Sequence, residues 1–185
     1  MKRFITLLLC LAFLPGKAGA QDLAVSTNVL DYARLGTLNL EASLGVARHW
    51  TLNAGAKYNP FSFDKNGGED QMQLRQRSLS LGTRFWPWHI HSGWWLSAKV
   101  QAQEYNEGGV RSLQTEEGER YGGGLGAGYT YMLHKHFNLE VGAGVWAGKN
   151  RYTVYACPVC GKETGGGERT FVRPSEILLS LIYIF

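Results

Sequence analysis

The chain has 185 residues, which is the size of one domain. Its formal net charge is +4 and its mean hydropathy is −0.20. Beyond the first 20 residues no apolar run reaches about 18 residues, so the sequence predicts no transmembrane helix. Its basic residues form no stripe or patch, and this excludes nucleic acid as an expected partner.

Residues 1–20 predict a secretory signal peptide. Lys2 and Arg3 form a basic start, Phe4–Leu14 is an apolar stretch too short to span a bilayer, and Ala18-Gly19-Ala20 supplies the small residues before a cleavage site. The predicted division is therefore a signal peptide at 1–20 and one barrel domain at 21–185. Cleavage would lower the net charge to +1, because three of the basic residues leave and no acid does.

Eight later segments alternate apolar and polar residues with period two, which predicts β-strands with one apolar face. In chain order they are 23–29, 38–46, 52–59, 78–85, 94–102, 122–131, 138–145 and 176–185. Segments of this length match tilted strands that cross a membrane, and the last one ends on an aromatic residue, Phe185. A soluble antiparallel sheet also alternates and is the competing interpretation.

The connections favour the membrane interpretation. They alternate between tight turns and polar stretches, with turns at 47–49, 87–92 and 134–136 and long stretches at 64–74, 106–120 and 157–169. Small outer-membrane barrels have short periplasmic turns and long extracellular loops. The predicted fold class is thus all-β, an eight-stranded antiparallel closed transmembrane β-barrel with three long extracellular loops. The connection Asp31–Thr37 is predicted to be a short first outer loop.

Aromatic residues gather at both predicted ends of the strands, as expected at membrane interfaces. The periplasmic group is Trp50, Trp86, Trp88, Trp94, Phe137, Tyr183 and Phe185, and the outer group is Tyr58, Phe61, Phe63, Tyr105, Tyr121, Tyr152, Tyr155 and Phe171.

Six charged residues fall on the face predicted to point inward. These are Glu41, Lys57, Arg84, Lys99, Glu140 and Glu176. Three acids and three bases in a low-dielectric interior predict a network of salt bridges that fills the barrel, because isolated buried charges are costly. A proton or ion path, or an active site with paired carboxylates, is the alternative. The glycines of segment 122–131 would leave room for a bulky inward side chain such as Trp95.

Cys157 and Cys160 form the sharpest local motif, a C-x-x-C in the last predicted outer loop. In an exported chain this spacing favours a disulfide. A zinc site would need two further ligands, and a redox pair would need a strand–helix context that the sequence lacks. Both remain alternatives to the disulfide.

No catalytic, cofactor-binding or metal-binding residue is predicted. His89, His91 and Ser92 share one turn and are the candidates for a lipid-modifying esterase, but no acid lies nearby and the turn is on the periplasmic side. The segment Asp64–Asp70 carries oxygen ligands without the spacing of an EF-hand loop. The sequence therefore predicts a protein that is not an enzyme.

Several segments resemble a family of small Bacteroidetes-type outer-membrane barrels classed as a domain of unknown function. The matching segments are Thr27–Leu30, Leu38–Glu41, Trp50–Leu52, Tyr58–Pro60, Arg84–Trp86, Tyr155–Gly161 and Arg173–Ser175. Where this chain has Arg173-Pro174-Ser175-Glu176, the family usually has Gly-Pro-Thr-Lys. The resemblance implies an outer-membrane barrel, some of whose relatives are similar to products encoded beside fimbrial genes.

We therefore expect a barrel in the cell outer membrane that presents loops for interaction or braces the membrane. The expected partners are outer-membrane lipid and lipopolysaccharide, and a surface or fimbrial protein. A lipid-modifying enzyme and a narrow transport channel are the alternative functions.

Overall fold

A computed structural model describes residues 23–63, 72–108, 114–157 and 161–185. The predicted all-β class is confirmed. In chain order the elements are β1 (Leu23–Asn28), α1 (Val29–Ala33), β2 (Leu38–Ala47), β3 (Trp50–Asn59), β4 (Ser62–Phe63), β5 (Met72–Phe85), β6 (Gly93–Gly108), β7 (Thr115–Met132), β8 (Phe137–Tyr155) and β9 (Glu163–Ile184). Within these ranges no helix is long and apolar enough to cross a membrane. The predicted signal peptide lies outside the described residues.

The long strands close into a ring of antiparallel pairs. Their order is β3-β2-β1-β9-β8-β7-β6-β5, and β3 pairs again with β5, which completes the circle. β4 is a ninth, two-residue strand that the sequence did not predict, and it pairs with β5 beyond the end of β3. The eight predicted segments correspond to β1–β3 and β5–β9.

The apolar faces of the strands lie on the outside of the ring. Leu125 on β7 is 71% exposed and Leu79 on β5 is 65% exposed, whereas the alternate residues of the same strands face the interior. Most of the buried residues are polar or charged, including Asn138, Thr130 and Glu140. This arrangement inverts that of a soluble protein, in which the apolar face is hidden.

The end of the ring that carries Leu23, Phe185 and the tight turns is closed by aromatic side chains. Trp86 and Trp95 are buried against one another and against Leu178. The sequence placed Trp86 among the interfacial aromatics, and this is wrong: its indole Nε1 points inward and donates to Thr51 Oγ1 at 3.2 Å. We refer to this as the inner end, and to the opposite end as the outer end.

Two of the three predicted long loops are mostly strand. β6 continues to Gly108 and β7 begins at Thr115, and β9 begins at Glu163. The remaining predicted loop, at 64–74, ends earlier than expected because β5 starts at Met72. Its residues 64–71 lie outside the described ranges. The short first connection contains α1 instead of being an irregular loop. The tight turns near 48, 90 and 134 are where the sequence placed them.

The extra strand length forms an outer extension, which comprises residues 103–108, 115–120, 150–155 and 163–169. In these ranges β6 pairs with β7, β7 with β8 and β8 with β9, and the pairing continues beyond the level at which β1 ends. β1 pairs with β9 only from Ser180 to Ile184. Among the described residues, the edge of β9 from Glu163 to Glu176 that faces away from β8 therefore carries no strand.

Candidate functional site

Three of the six predicted interior charges meet at one guanidinium. Arg84 Nη2 lies 2.6 Å from Glu41 Oε1, and Arg84 Nη1 lies 2.9 Å from Glu140 Oε2. Arg84 belongs to β5, Glu41 to β2 and Glu140 to β8, and no two of these strands are neighbours. The contacts can therefore form only across the interior of the ring.

The other three predicted charges form two further pairs. Lys99 Nζ lies 2.6 Å from Glu176 Oε1, again between strands that are not neighbours. Lys57 Nζ lies 2.6 Å from Asp31 Oδ2, a partner that sequence reasoning missed because it assigned Asp31 to an outer loop. Together these seven side chains, Asp31, Glu41, Lys57, Arg84, Lys99, Glu140 and Glu176, form what we call the inner charge network. It contains four acids and three bases, one acid more than the sequence predicted.

Asp31 reaches the network because α1 folds over the outer end of β1. The Asn28 side chain caps α1 by accepting a hydrogen bond from the Leu30 N–H at 3.2 Å. The same side chain ties α1 to β9, since its Nδ2 donates to the Ile177 carbonyl at 3.0 Å and its Oδ1 accepts from the Leu179 N–H at 3.0 Å. A short helix of this kind leaves no period-two signal in the sequence.

Neutral groups complete the hydrogen bonding around Arg84. Asn53 Nδ2 donates to Glu41 Oε1 at 3.0 Å, and Thr130 Oγ1 donates to Glu140 Oε2 at 3.1 Å. The guanidinium carbon lies 4.5 Å from the centre of the Trp95 ring, a cation–π contact. The cavity beside the network is about 30 Å³, which at about 10–15 Å³ for each water holds two or three waters. The network thus fills the ring at this level.

Two glycines make room for Trp95: Gly128 belongs to the glycine run that the sequence indicated, and Gly142 on β8 is a second one that it did not. A Cβ at Gly142 would lie 2.8 Å from the indole, and one at Gly128 would come closer still. Real Cβ atoms do not approach other heavy atoms this closely, so any side chain at either position would displace the ring. The glycines of β7 and β8 therefore let one large aromatic cross the interior beneath Arg84.

A second polar cluster lies in the outer extension, and sequence reasoning missed it because it assigned this part of the chain to loops. The outer cluster consists of Tyr105, Glu116, Arg120 and Arg169. Tyr105 Oη donates to Glu116 Oε1 at 2.5 Å, and Arg169 Nη2 donates to the same oxygen at 2.6 Å. Arg120 lies 3.5 Å from Glu116 and stacks over the Tyr105 ring at 3.3 Å.

These contacts shift two pKa values in opposite directions. Burial and the hydrogen bond to Glu116 raise the pKa of Tyr105 to about 12. For Glu116, burial alone would raise the pKa, but the hydrogen bond from Tyr105 and the charges of Arg169 and Arg120 outweigh it and lower the pKa below its usual value. At neutral pH the cluster therefore holds a protonated phenol against an ionised carboxylate.

The remaining sequence candidates are dispersed. Cys157 follows the end of β8, and Cys160 lies outside the described residues, so the disulfide stays a prediction. The oxygen-rich segment Asp64–Asp70 also lies outside them. His91 packs against Trp86 at 5.7 Å between ring centres, in the turn that closes the inner end. In the described parts of the chain, no three His, Cys, Asp or Glu side chains are placed to hold a metal ion.

The model of a family described as "protein of unknown function (DUF3575)" matches residues 4–185, which is nearly the whole chain. No curated protein matches the chain. No solved structure matches it either.

Proposed function

Because the chain belongs to the DUF3575 family of proteins of unknown function, whose description names no activity, we propose a function from the surfaces of the ring. We propose that it is a non-enzymatic β-barrel of the cell outer membrane that presents its outer end for interaction. The observation that carries this proposal is the inverted arrangement of the ring, with leucines and valines exposed outside and paired charges buried inside. Lipid is the environment in which such an exterior is stable.

The height of the apolar band supports the membrane location. On β7 the outward residues are apolar or aromatic from Tyr121 to Tyr131, and Glu119 begins the polar part. Ten residue steps of about 3.4 Å, tilted by about 40°, span about 26 Å along the barrel axis. This agrees with the roughly 25 Å apolar band of outer-membrane barrels. Tyr131 and Tyr121 are at its two limits, where interfacial aromatics belong.

The filled interior supports a sealed barrel over a channel. An ion entering from the outer end would meet the inner charge network, and beneath it the buried rings of Trp95 and Trp86. Displacing Arg84 from both of its carboxylates would leave buried unpaired charges, which is costly. We therefore propose that the inner charge network stabilises the ring and does not conduct.

The outer extension supplies the proposed interaction surface. The unpaired edge of β9 offers backbone N–H and C=O groups to an extended segment of a protein partner, the interaction known as strand addition. Three consecutive glycines, Gly165–Gly167, lie along this edge, and nothing lies within 4 Å of a Cβ placed on Gly165 or Gly167. A partner backbone can approach closely there. The proposed disulfide between Cys157 and Cys160 would fix the turn that leads into this edge.

Lipid is the second proposed partner. Lys149 and Arg151 lie on the outer surface just above the apolar band, and both contact Glu168, at 2.8 Å and 3.2 Å. Basic and acidic side chains at this height match the phosphates of lipopolysaccharide and the divalent cations between them.

The location is tested by fractionation and by gel mobility. The mature chain should partition with the outer membrane and run faster on a gel before boiling than after, because a closed barrel resists unfolding in detergent. In planar bilayers the wild-type protein should give no steady conductance. Recovery as a soluble protein would contradict the membrane proposal, and a steady conductance changed by Arg84→Met would show that the network lines a pore.

The interaction surface is tested by photo-crosslinking in cells. A crosslinking side chain at Gly165 or Gly167 displaces no neighbour and should capture a protein along the β9 edge. The matched control is Glu119, which is exposed at a similar height but lies on β7, paired on both edges. Equal capture from Glu119 and from the two glycines would contradict strand addition at β9. So would the absence of capture from either glycine.

A further inference from the structure

Between the inner charge network and the outer cluster lies a polar cavity of about 210 Å³. Its walls come from α1, from the connection after it and from the inner faces of β3, β5, β6, β7, β8 and β9. Four cations line it, Arg34, Lys57, Arg120 and Arg173, but only two acids, Asp31 and Glu107. The cavity therefore carries an excess of two positive charges.

Ion pairing accounts for only two of the four cations. Lys57 is bound to Asp31 at 2.6 Å, and Arg120 lies 3.0 Å from Glu107. Arg34 and Arg173 have no carboxylate within ion-pair distance among the residues that the structure describes. Arg173 is half-buried on β9, where an uncompensated charge is unfavourable. Two guanidiniums with free donors thus converge on one space.

Neutral side chains make the cavity suitable for a ligand. Gln101 lines it and makes no side-chain hydrogen bond to any other described residue, so its amide is available as a donor. Trp146, which is buried, forms an apolar part of the wall. Arg34 is exposed to solvent, so this side of the cavity can be reached from solution.

We propose that this cavity is a binding site for a small oxyanion of the phosphate or carboxylate class, held by Arg34 and Arg173. Guanidinium groups bind both chemistries through paired N–H donors, and Gln101 adds a neutral donor. The volume sets the size of the ligand, because drug-sized molecules occupy pockets of about 300–1,000 Å³ and this cavity is smaller. The proposal depends on the geometry of the cavity and not on membrane location or on strand addition.

Binding is tested by isothermal titration of the folded full-length protein in detergent micelles, in a buffer without other oxyanions. One arm uses inorganic phosphate and the other uses succinate. We expect saturable binding of one anion per chain in at least one arm, and the tighter arm identifies the ligand class. Absence of saturable binding in both arms up to about 10 mM, well above a 1 mM dissociation constant, would overturn the proposal.

The site is tested with the double variant Arg34→Gln, Arg173→Gln. Because each guanidinium donates hydrogen bonds to a charged ligand, we expect the affinity to fall at least about tenfold. The matched control is Arg48→Gln, Lys135→Gln, which removes the same charge from exposed turns at the inner end and should change the affinity less than about twofold. Equal losses in both double variants would mean long-range attraction in place of a site, and would overturn the proposal.

Folding is checked separately, so that loss of binding is not confused with loss of structure. Arg34 and Arg173 have no carboxylate partner in the described chain, so the variants should keep the heat-dependent gel mobility of the wild type. If the double variant does not fold, Arg173→Lys keeps the charge but loses the paired donors, and it should still weaken binding several-fold. Trp146 gives an independent signal: its fluorescence should change on addition of the anion, and Trp146→Phe should remove that change. Unaltered binding in Arg173→Lys together with an unchanged Trp146 signal would overturn the assignment.

Discussion

The inner charge network and the outer cluster both pair carboxylates with guanidiniums, but in opposite ratios. In the inner network one guanidinium, Arg84, serves two carboxylates, whereas in the outer cluster one carboxylate, Glu116, serves two guanidiniums. Their burial differs as well. The side chain of Glu140 is 1% exposed and that of Glu116 is 24% exposed.

This difference determines what each cluster can do. A buried ion pair repays the cost of desolvation only while both partners are present, so its main effect is to penalise any change in the arrangement. A partly solvated pair contributes little to stability, but its groups can titrate and exchange partners. The inner network therefore suits a sealed, rigid barrel. The outer cluster suits a surface that responds to its surroundings.

The largest predicted effect comes from breaking the inner network. Arg84→Met removes the shared guanidinium and leaves Glu41 and Glu140 facing each other without a counter-charge. We expect the free energy of unfolding, measured by urea titration of the protein in micelles or vesicles, to fall by about 3–5 kcal/mol. The double variant Arg84→Met, Glu140→Gln should recover part of this loss, because it removes one of the stranded charges.

Arg151→Met is the matched control on the outer surface. Arg151 and Glu168 are both solvent-exposed, so water and salt screen their 3.2 Å contact, and its loss should leave the free energy of unfolding nearly unchanged. Similar losses for Arg84→Met and Arg151→Met would contradict the contrast between the two regions. A barrel that keeps its full stability without Arg84 would show that the inner network is not structural.

A smaller effect is predicted from the pH dependence of the outer cluster. The pKa of Tyr105 is raised from 10.0 to about 12, so its contribution to stability is complete below pH 10 and is lost as the pH rises through about 12. The pKa of Glu116 is lowered, so the pH dependence has the opposite sense. Glu116 contributes its full stability above the usual pKa of a glutamate, and this contribution is lost as the pH falls through the lowered pKa. Stability from this cluster should therefore decline at both extremes.

Absorbance at 295 nm measures the alkaline half of this prediction directly. The difference between wild type and Tyr105→Phe should contain one tyrosinate that forms near pH 12. In Glu116→Gln the same transition should move to lower pH, because the charged acceptor is lost while the burial remains. If the midpoint of the Tyr105 titration is unchanged in Glu116→Gln, the hydrogen bond to Glu116 does not raise the pKa of Tyr105.

The strands and their faces could be predicted because alternation is a local property. Leu125 and Gly126 face opposite sides of the sheet, and the change from an apolar residue to a glycine between adjacent positions is enough to predict this. The closed ring, the tight turns and the room left for Trp95 followed from the same pattern. The inward direction of Arg84 and Glu140 also followed, because a charged residue alternating with apolar ones has only one face available.

Three features could not be predicted. Most of the outer extension is polar on both faces, so residues such as Glu116 and Glu117 carry no apolar signal and resemble a loop. The identity of each salt-bridge partner depends on the stagger of strands far apart in the chain, as with Arg84 and Glu140. Asp31 joins the network through the five-residue helix α1, which has no strand pattern at all.

The smallest effect on the ring itself is predicted at the far end of the outer extension, where Cys157 and Cys160 are expected to form a disulfide. In the unreduced protein, thiol alkylation followed by mass spectrometry should find both cysteines blocked. The double variant Cys157→Ser, Cys160→Ser should still insert and fold, because so short a loop limits the chain-entropy gain to about 2 kcal/mol and leaves the ring untouched. Stoichiometric zinc with two reactive thiols would contradict the disulfide. A variant that folds normally but no longer crosslinks from Gly165 would show that the turn before β9 positions the interaction edge, and the contrast between a rigid inner end and a responsive outer end would then extend to binding.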